Sequence, residues 1–129
     1  KDNGIPYNKE YVYYGGYETE QGMRGCEYLM NLPSPPTAIF SISDIIAIGA
    51  MNYALSKGYR IGKDLIFMGF DNIQYSHMFV PHLSTVEQPC YAQGKLVIEK
   101  LIENMKATNP DHNLYTLPHS LVLRESTGD

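Results

Sequence analysis

The sequence contains no tryptophan, only two cysteines, and ten Lys and Arg residues against fourteen Asp and Glu residues. Cys26 and Cys90 show no CxxC or CxxH spacing, so we expect two buried thiols and neither a disulfide scaffold nor a zinc site. The net charge is −4 and basic residues do not cluster, so this chain lacks a nucleic-acid-binding pattern. No apolar run approaches the roughly 18 residues of a membrane span, and no signal-type segment opens the chain. A cytoplasmic protein without membrane contact is predicted.

Strand-like and helix-like segments alternate along the chain. With 129 residues, 43% of them apolar, the chain can bury a core. We predict strands at 11–14, 38–42, 65–70, 84–87 and 120–124, helices between Thr19 and Pro33, at 45–57 and at about 91–105, and one or two helical turns between 72 and 80. Thr19 is the expected cap of the first helix, Ser43 or Asp44 caps the second, and Gly58 ends it. This order predicts an α/β fold with right-handed parallel crossovers, in which strand 38–42 is buried on both faces.

Two aspartates directly follow apolar strands of the predicted sheet. Ligands of parallel sheets bind at the carboxyl edge, so Asp44 and Asp71 are candidate ligand contacts. Asp44 has an alternative role as a helix cap or first-turn carboxylate, whereas no helix begins directly after Asp71. Tyr17, at the exit of the first predicted strand, is a further candidate. The four histidines lack metal-ligand spacing, and no phosphate-binding loop or serine-nucleophile motif occurs, so no metal, cofactor or catalytic centre is predicted.

Five sequence blocks occur in a fixed order and cover almost the whole chain: PTAIF at 36–40, SDIIAIGA at 43–50, GFDNI at 69–73, LSTVEQP at 83–89, and LP at 117–118 with REST at 124–127. They resemble the lactose-repressor/galactose-repressor (LacI/GalR) family of bacterial transcription regulators. The resemblance implies a periplasmic-binding-protein-like type I lobe, a parallel sheet flanked by helices, as the C-terminal part of a two-lobe effector-binding domain. In that family a helix-turn-helix headpiece precedes the domain, so DNA binding would reside outside this chain.

The resemblance also implies a division of the chain between two lobes. Residues 1–82 would belong to the C-terminal lobe, residues 83–116 to a crossover segment in the N-terminal lobe, and residues 117–129 to a return strand and tail of the C-terminal lobe. The helix at about 91–105 carries five apolar residues on one side: Val97, Ile98, Leu101, Ile102 and Met105. Since their partners would lie in the other lobe, we expect this helix to dock on another copy or to stand away from residues 1–82. The alternative is that it folds back onto its own sheet, with residues 84–86 as an edge strand.

By position in the blocks, Asp71 resembles the family aspartate that contacts the effector. Ser43 stands beside Asp44 where many members have asparagine, and its hydroxyl offers fewer donors than an amide. Tyr17 matches an aromatic wall of the cleft, and Gln88 matches a polar position on the crossover. These residues, with Asp44, form the predicted effector site.

Dimerisation and function follow from the same resemblance. Ile48, Met51 and Phe79 match positions of the family's two-fold interface, which implies a homodimer. The implied function is to bind a small polar effector, a sugar or a purine-like compound, and so to modulate operator binding. The alternative is a periplasmic sugar-binding protein of a transport system. No nucleophile and base are paired in the sequence, so binding is expected and catalysis is not.

Overall fold

The computed structural model describes residues 4, 6–108 and 113–128. Its helices are α1 (Thr19–Met30), α2 (Asp44–Ser56) and α3 (Cys90–Lys106), and its strands are β1 (Ala38–Phe40), β2 (Ile66–Asp71), β3 (Ser84–Glu87) and β4 (Ser120–Val122). Short 3-10 turns lie at Lys9–Tyr11, Gln74–His77 and Glu125–Thr127. The alternation predicted from the sequence is therefore confirmed from α1 onward, including the short helical turn after β2.

The four strands form one sheet in the order β1-β2-β3-β4. The first three are parallel, and β4 pairs antiparallel with β3. Asp71 lies opposite Glu87, and Glu87 lies opposite Ser120. Because β4 runs in reverse, its first residue joins the last residues of β2 and β3 at the carboxyl edge.

Close packing of α1 on α2 builds the core above one face of the sheet. A Cβ at Gly22 would lie 2.0 Å from the carbonyl oxygen of Ile46, and one at Gly49 would lie 1.9 Å from that of Thr19. Only glycine allows this approach of the two backbones. Beneath the crossing lies a buried cluster that comprises Cys26, Leu29, Ile39, Ala47, Ala50, Met51, Ala54, Ile61, Leu65, Phe67 and Leu83.

Several sequence-based expectations for α1 and the first two strands were wrong. The strand expected at 11–14 does not form; Tyr11 ends a 3-10 turn, and the ring of Tyr13 packs 5.7 Å from that of Tyr28 on α1. Aromatic β-propensity is only a preference for a pleated, half-buried surface and cannot supply a backbone partner. Helix α1 begins at Thr19 itself, and the preceding Glu18 makes no side-chain cap. Strand β1 is not buried on both faces: Ile39 is buried but Phe40 is 59% exposed, because α1 and α2 cover only one side.

The second helix ends as its sequence predicts, while the cysteines differ from expectation. Ser43 precedes α2 and accepts a hydrogen bond from the amide of Ile46, and Gly58 follows its last turn with φ +83°.

Cys26 is buried, and burial raises the pKa of its thiol to about 12. Cys90, in contrast, is exposed at the first residue of α3. The expectation of two buried thiols is therefore right for Cys26 only.

Helix α3 contributes no buried residue to the core. The apolar side chains named above for this helix are between 46% and 78% exposed. They are thus not buried within this chain, which is one of the arrangements expected from the sequence. Among the described residues, no helix is long and apolar enough to cross a bilayer.

Candidate functional site

The turn at the end of β2 holds two consecutive residues in unusual backbone conformations. Asp71 has φ +122° and Asn72 has φ +56°. Positive φ is uncommon outside glycine, although Asp and Asn tolerate it best. Such conformations persist where surrounding contacts hold them, and they concentrate at functional sites.

Asp71 and Gln88 contact each other at this edge of the sheet. The side-chain amide of Gln88 donates a 2.6 Å hydrogen bond to Oδ1 of Asp71, and both residues are half-buried. Two of the residues predicted to face the effector are therefore brought together by the parallel pairing of β2 with β3. Their carboxylate and amide can accept from and donate to the hydroxyls or ring nitrogens of a small polar molecule.

Ser43 and Tyr17 precede the two packed helices, Ser43 before α2 and Tyr17 before α1. Ser43 follows β1, is half-buried, and its Oγ accepts a 3.4 Å hydrogen bond from the amide of Ile46. Tyr17 is 72% exposed just before α1. Among the described residues, no hydrogen bond joins either of them to Asp71 or Gln88. The structure therefore brings only part of the predicted set into direct contact.

Asp44 lies in the interior and not at the surface of this edge. Its side chain is fully buried and accepts hydrogen bonds from the amide of Ile73 (3.0 Å), Oγ of Ser76 (2.5 Å) and Oγ1 of Thr85 (2.6 Å). These donors come from three segments that follow or flank β2, and they stabilise the carboxylate at the first turn of α2. The expected ligand contact at Asp44 is thus corrected to the alternative structural role.

A polar cluster that sequence reasoning missed surrounds the β2 turn. Asn72 donates to Oε1 of Glu87 (3.0 Å) and accepts from Nη2 of Arg124 (2.7 Å), while Oγ of Ser120 donates to Oε2 of Glu87 (2.9 Å). The hydrogen bonds from Asn72 and Ser120 hold the pKa of Glu87 below its ordinary value, and the charge of Arg124 adds to this. A signal was present in the sequence, since Asn72 directly follows Asp71 and is suited to positive φ.

The predicted dimer residues do not share one surface. Ile48 and Phe79 are half-buried and line an apolar groove of about 370 Å³ together with Thr19, Ile45, Tyr75 and Met78. Met51, about one turn after Ile48 along α2, is fully buried in the core. Its assignment to the interface is corrected accordingly, because a residue with no exposed area cannot contact a partner.

Metal binding finds no support in the described part of the chain. Among those residues, no group of three or more His, Cys, Asp or Glu side chains is arranged to hold an ion. The side chains at the carboxyl edge are instead suited to hydrogen bonding.

Comparison with known proteins gives one consistent family. A model described as the periplasmic binding protein-like domain matches residues 1–127. The chain is 33% identical over 124 residues to the HTH-type transcriptional repressor CytR of Escherichia coli strain K12, covering 96% of this chain and 36% of that protein. It is 37% identical over 122 residues to the ribose operon repressor of Haemophilus influenzae, covering 95% of this chain and 37% of that protein.

Solved structures agree with the sequence relatives. A LacI-family regulatory protein from Chloroflexus aggregans matches with a TM-score of 0.87 and 33% identity, over 97% of this chain and 45% of that chain. The transcription regulator CcpA of Lactococcus lactis matches with a TM-score of 0.87 and 25% identity, over 98% of this chain and 46% of that one. This chain spans little more than a third of the length of the curated relatives. From the fold and the family model, the chain belongs to the family of periplasmic binding protein-like domains, and it is similar to one part of LacI-family regulators and repressors.

Proposed function

We propose that this chain is the C-terminal part of an effector-binding domain and forms one wall of its ligand cleft. The effector is a small polar molecule, a sugar or a purine-like compound, held by Asp71 with Gln88, Ser43 and Tyr17. The name of the Haemophilus relative, a ribose operon repressor, supports the sugar class. Binding and not catalysis is the chemistry, in line with relatives that are transcription regulators.

The observation that carries this proposal is the half-buried Asp71 at the end of β2. Its backbone is held at positive φ and its carboxylate is oriented by Gln88. A carboxylate in this position can accept two hydrogen bonds from vicinal hydroxyls, which is a strong and directional interaction. Asp44 has the same chemistry, but its oxygens are occupied by internal donors.

In the full-length regulator, effector binding changes the affinity of the protein for DNA. In this proposal residues 1–82 and 117–129 form the C-terminal lobe, and residues 83–116 cross to the N-terminal lobe. A helix-turn-helix headpiece of a cytoplasmic homodimer binds the operator, and the effector alters operator affinity through its different affinity for two lobe arrangements. The alternative, a periplasmic transport protein, is not favoured because the relatives described above are repressors and regulators.

The groove that contains Ile48 and Phe79 is the proposed surface of the homodimer. Ile48→Glu places a charge in this apolar groove, so we expect monomers in sedimentation of the full-length protein. Ser56→Glu, at the exposed end of the same helix, is the control and should remain dimeric. A dimer that persists in Ile48→Glu at the concentrations used for the unmodified protein would exclude this surface.

Calorimetry on the full-length protein tests the effector site. D-ribose, D-glucose, cellobiose, adenosine and hypoxanthine form the panel, and each is titrated into the unmodified protein and into Asp71→Asn. We expect Asp71→Asn to weaken the binding of the tightest panel compound by about 1–3 kcal/mol, the contribution of a charge-assisted hydrogen bond.

A matched control lies at the opposite end of β2. Asp64 precedes this strand and is hydrogen-bonded to Arg60, so Asp64→Asn removes a carboxylate far from the proposed cleft. Its affinity for the panel compound should equal that of the unmodified protein. Equal affinities for Asp71→Asn and Asp64→Asn would overturn the assignment of Asp71.

A further inference from the structure

Arg124 connects the tail of β4 to the turn that carries Asp71. Its Nη1 donates to the carbonyl oxygen of Leu83 at 2.5 Å, and its Nη2 donates to Oδ1 of Asn72 at 2.7 Å. Its backbone amide donates to Oγ of Ser84 at 2.7 Å. The residue is therefore fixed at its backbone and at both ends of its guanidinium group.

The rigid shape of the guanidinium group explains how Arg124 fixes the position of the Asn72 side chain. Its donors project in a rigid planar fork, so the bond of Nη1 to Leu83 determines where Nη2 lies. Leu83 is fully buried and immediately precedes β3, which makes it a firm anchor. Arg124 thus holds the side chain of Asn72 at a defined distance from the sheet.

Asn72 is hydrogen-bonded at its backbone amide and at both polar atoms of its side chain. Besides the bond from Arg124, its Nδ2 donates to Glu87 and its backbone amide donates to Oγ1 of Thr85 at 3.3 Å. A residue with φ +56° that follows another at φ +122° needs such external support, since the backbone alone does not favour these values. The peptide that links Asp71 to Asn72 is consequently oriented by the contacts of Asn72.

We propose that Arg124 is a positioning residue for effector binding, which acts through Asn72 to orient the carboxylate of Asp71. This inference rests on the proposed function, because it assigns to Arg124 a role in the same site. Arg124 does not contact the effector; it fixes the backbone conformation from which Asp71 reaches the effector.

A double-mutant cycle on the full-length protein tests the proposal. Calorimetry uses the member of the panel above that the unmodified protein binds most tightly. Arg124→Met should weaken its binding about tenfold, the size of a lost hydrogen bond to a charged group. In an Asp71→Asn background the same change should cause no further loss, because the group that it positions is already removed.

Three further variants separate positioning from general stability. Ser126 lies in the same tail as Arg124, and its hydroxyl is hydrogen-bonded to the backbone of Phe67 and Ser84. Ser126→Ala removes these two bonds, so it should lower the free energy of unfolding and leave the affinity unchanged. Arg124→Lys keeps the charge but cannot span both acceptors, so it should lose affinity as Arg124→Met does. Asn72→Gly keeps positive φ accessible while removing the side chain, so it should fold and also bind about tenfold more weakly.

The outcomes distinguish this inference from the proposed function. Unchanged affinity in Arg124→Met and Asn72→Gly, beside weakened binding in Asp71→Asn, would overturn the positioning role alone. Additive losses of Arg124→Met and Asp71→Asn would also overturn it, since Arg124 would then act independently of Asp71. Unchanged affinity in Asp71→Asn would overturn the proposed function.

Discussion

Helices α1 and α3 are both amphipathic, but only α1 buries its apolar side within the described part of the chain. The apolar side of α1 is packed against α2 so closely that Gly22 and Gly49 lie against the opposing backbone. The apolar side of α3 is exposed, and a Cβ at Gly94 would meet nothing within 4 Å. An apolar stripe in a sequence therefore marks the face that a helix can bury, but not whether another segment of the same chain covers that face.

The largest expected effect tests this contrast with one substitution in each region. Gly49→Ala forces a methyl group into the backbone of Thr19, so we expect a loss of about 3 kcal/mol in the free energy of unfolding. Gly94→Ala, in the open surface of α3, should instead gain about 0.5–1 kcal/mol from helix propensity. Urea unfolding of both full-length variants measures the two values. A tolerated Gly49→Ala would refute the close crossing of α1 and α2.

A second effect compares the two aspartates that follow strands. Asp44→Asn leaves three internal donors with a neutral amide, and we expect the free energy of unfolding to fall by about 2–3 kcal/mol. Asp71→Asn should leave it close to the unmodified value, since its proposed role is to bind the effector. Equal stability losses in the two variants would contradict this separation of roles.

A third effect concerns the exposed stripe on α3. If residues 83–116 belong to the other lobe, Leu101 is covered in the full-length protein, and Leu101→Gln should cost about 2 kcal/mol in the free energy of unfolding. Glu99→Gln, an exposed position on the same helix, is the control and should have almost no effect. A neutral Leu101→Gln would show that the stripe stays in solvent and that the lobe division is wrong.

The smallest expected effect is a pH dependence at the carboxyl edge. The lowered pKa of Glu87 means that its contribution to stability is complete above the ordinary value of 4.5 and is lost as the pH falls through the folded-state pKa below it. The stability difference between the unmodified protein and Glu87→Gln should therefore be constant from about pH 8 to pH 5 and shrink at lower pH. A difference that is constant throughout acid unfolding would show that Asn72 and Ser120 do not favour the charged form.

Much of the fold could be predicted because its signals are local. Apolar runs marked β1 and β2, while Ser43 and Gly58 marked the ends of α2. The alternation of elements then placed Asp71 at the carboxyl edge of a parallel sheet, where ligands bind. Residues 11–14 show the limit of this reasoning, because β-propensity was strong there and a strand did not form.

The sequence by itself determined the order of the elements from α1 onward, the cap of α2 at Ser43, and the edge at which the polar residues collect. Only the tertiary structure decided that Asp44 is interior and Asp71 half-buried, that Met51 lies in the core, and that Arg124 reaches Asn72 across 52 positions of sequence. Secondary-structure propensity and hydrophobic periodicity depend on side chains that are close together in the sequence. Burial and hydrogen-bond partners depend instead on which distant segments pack together, and identical residues acquire different roles from those neighbours.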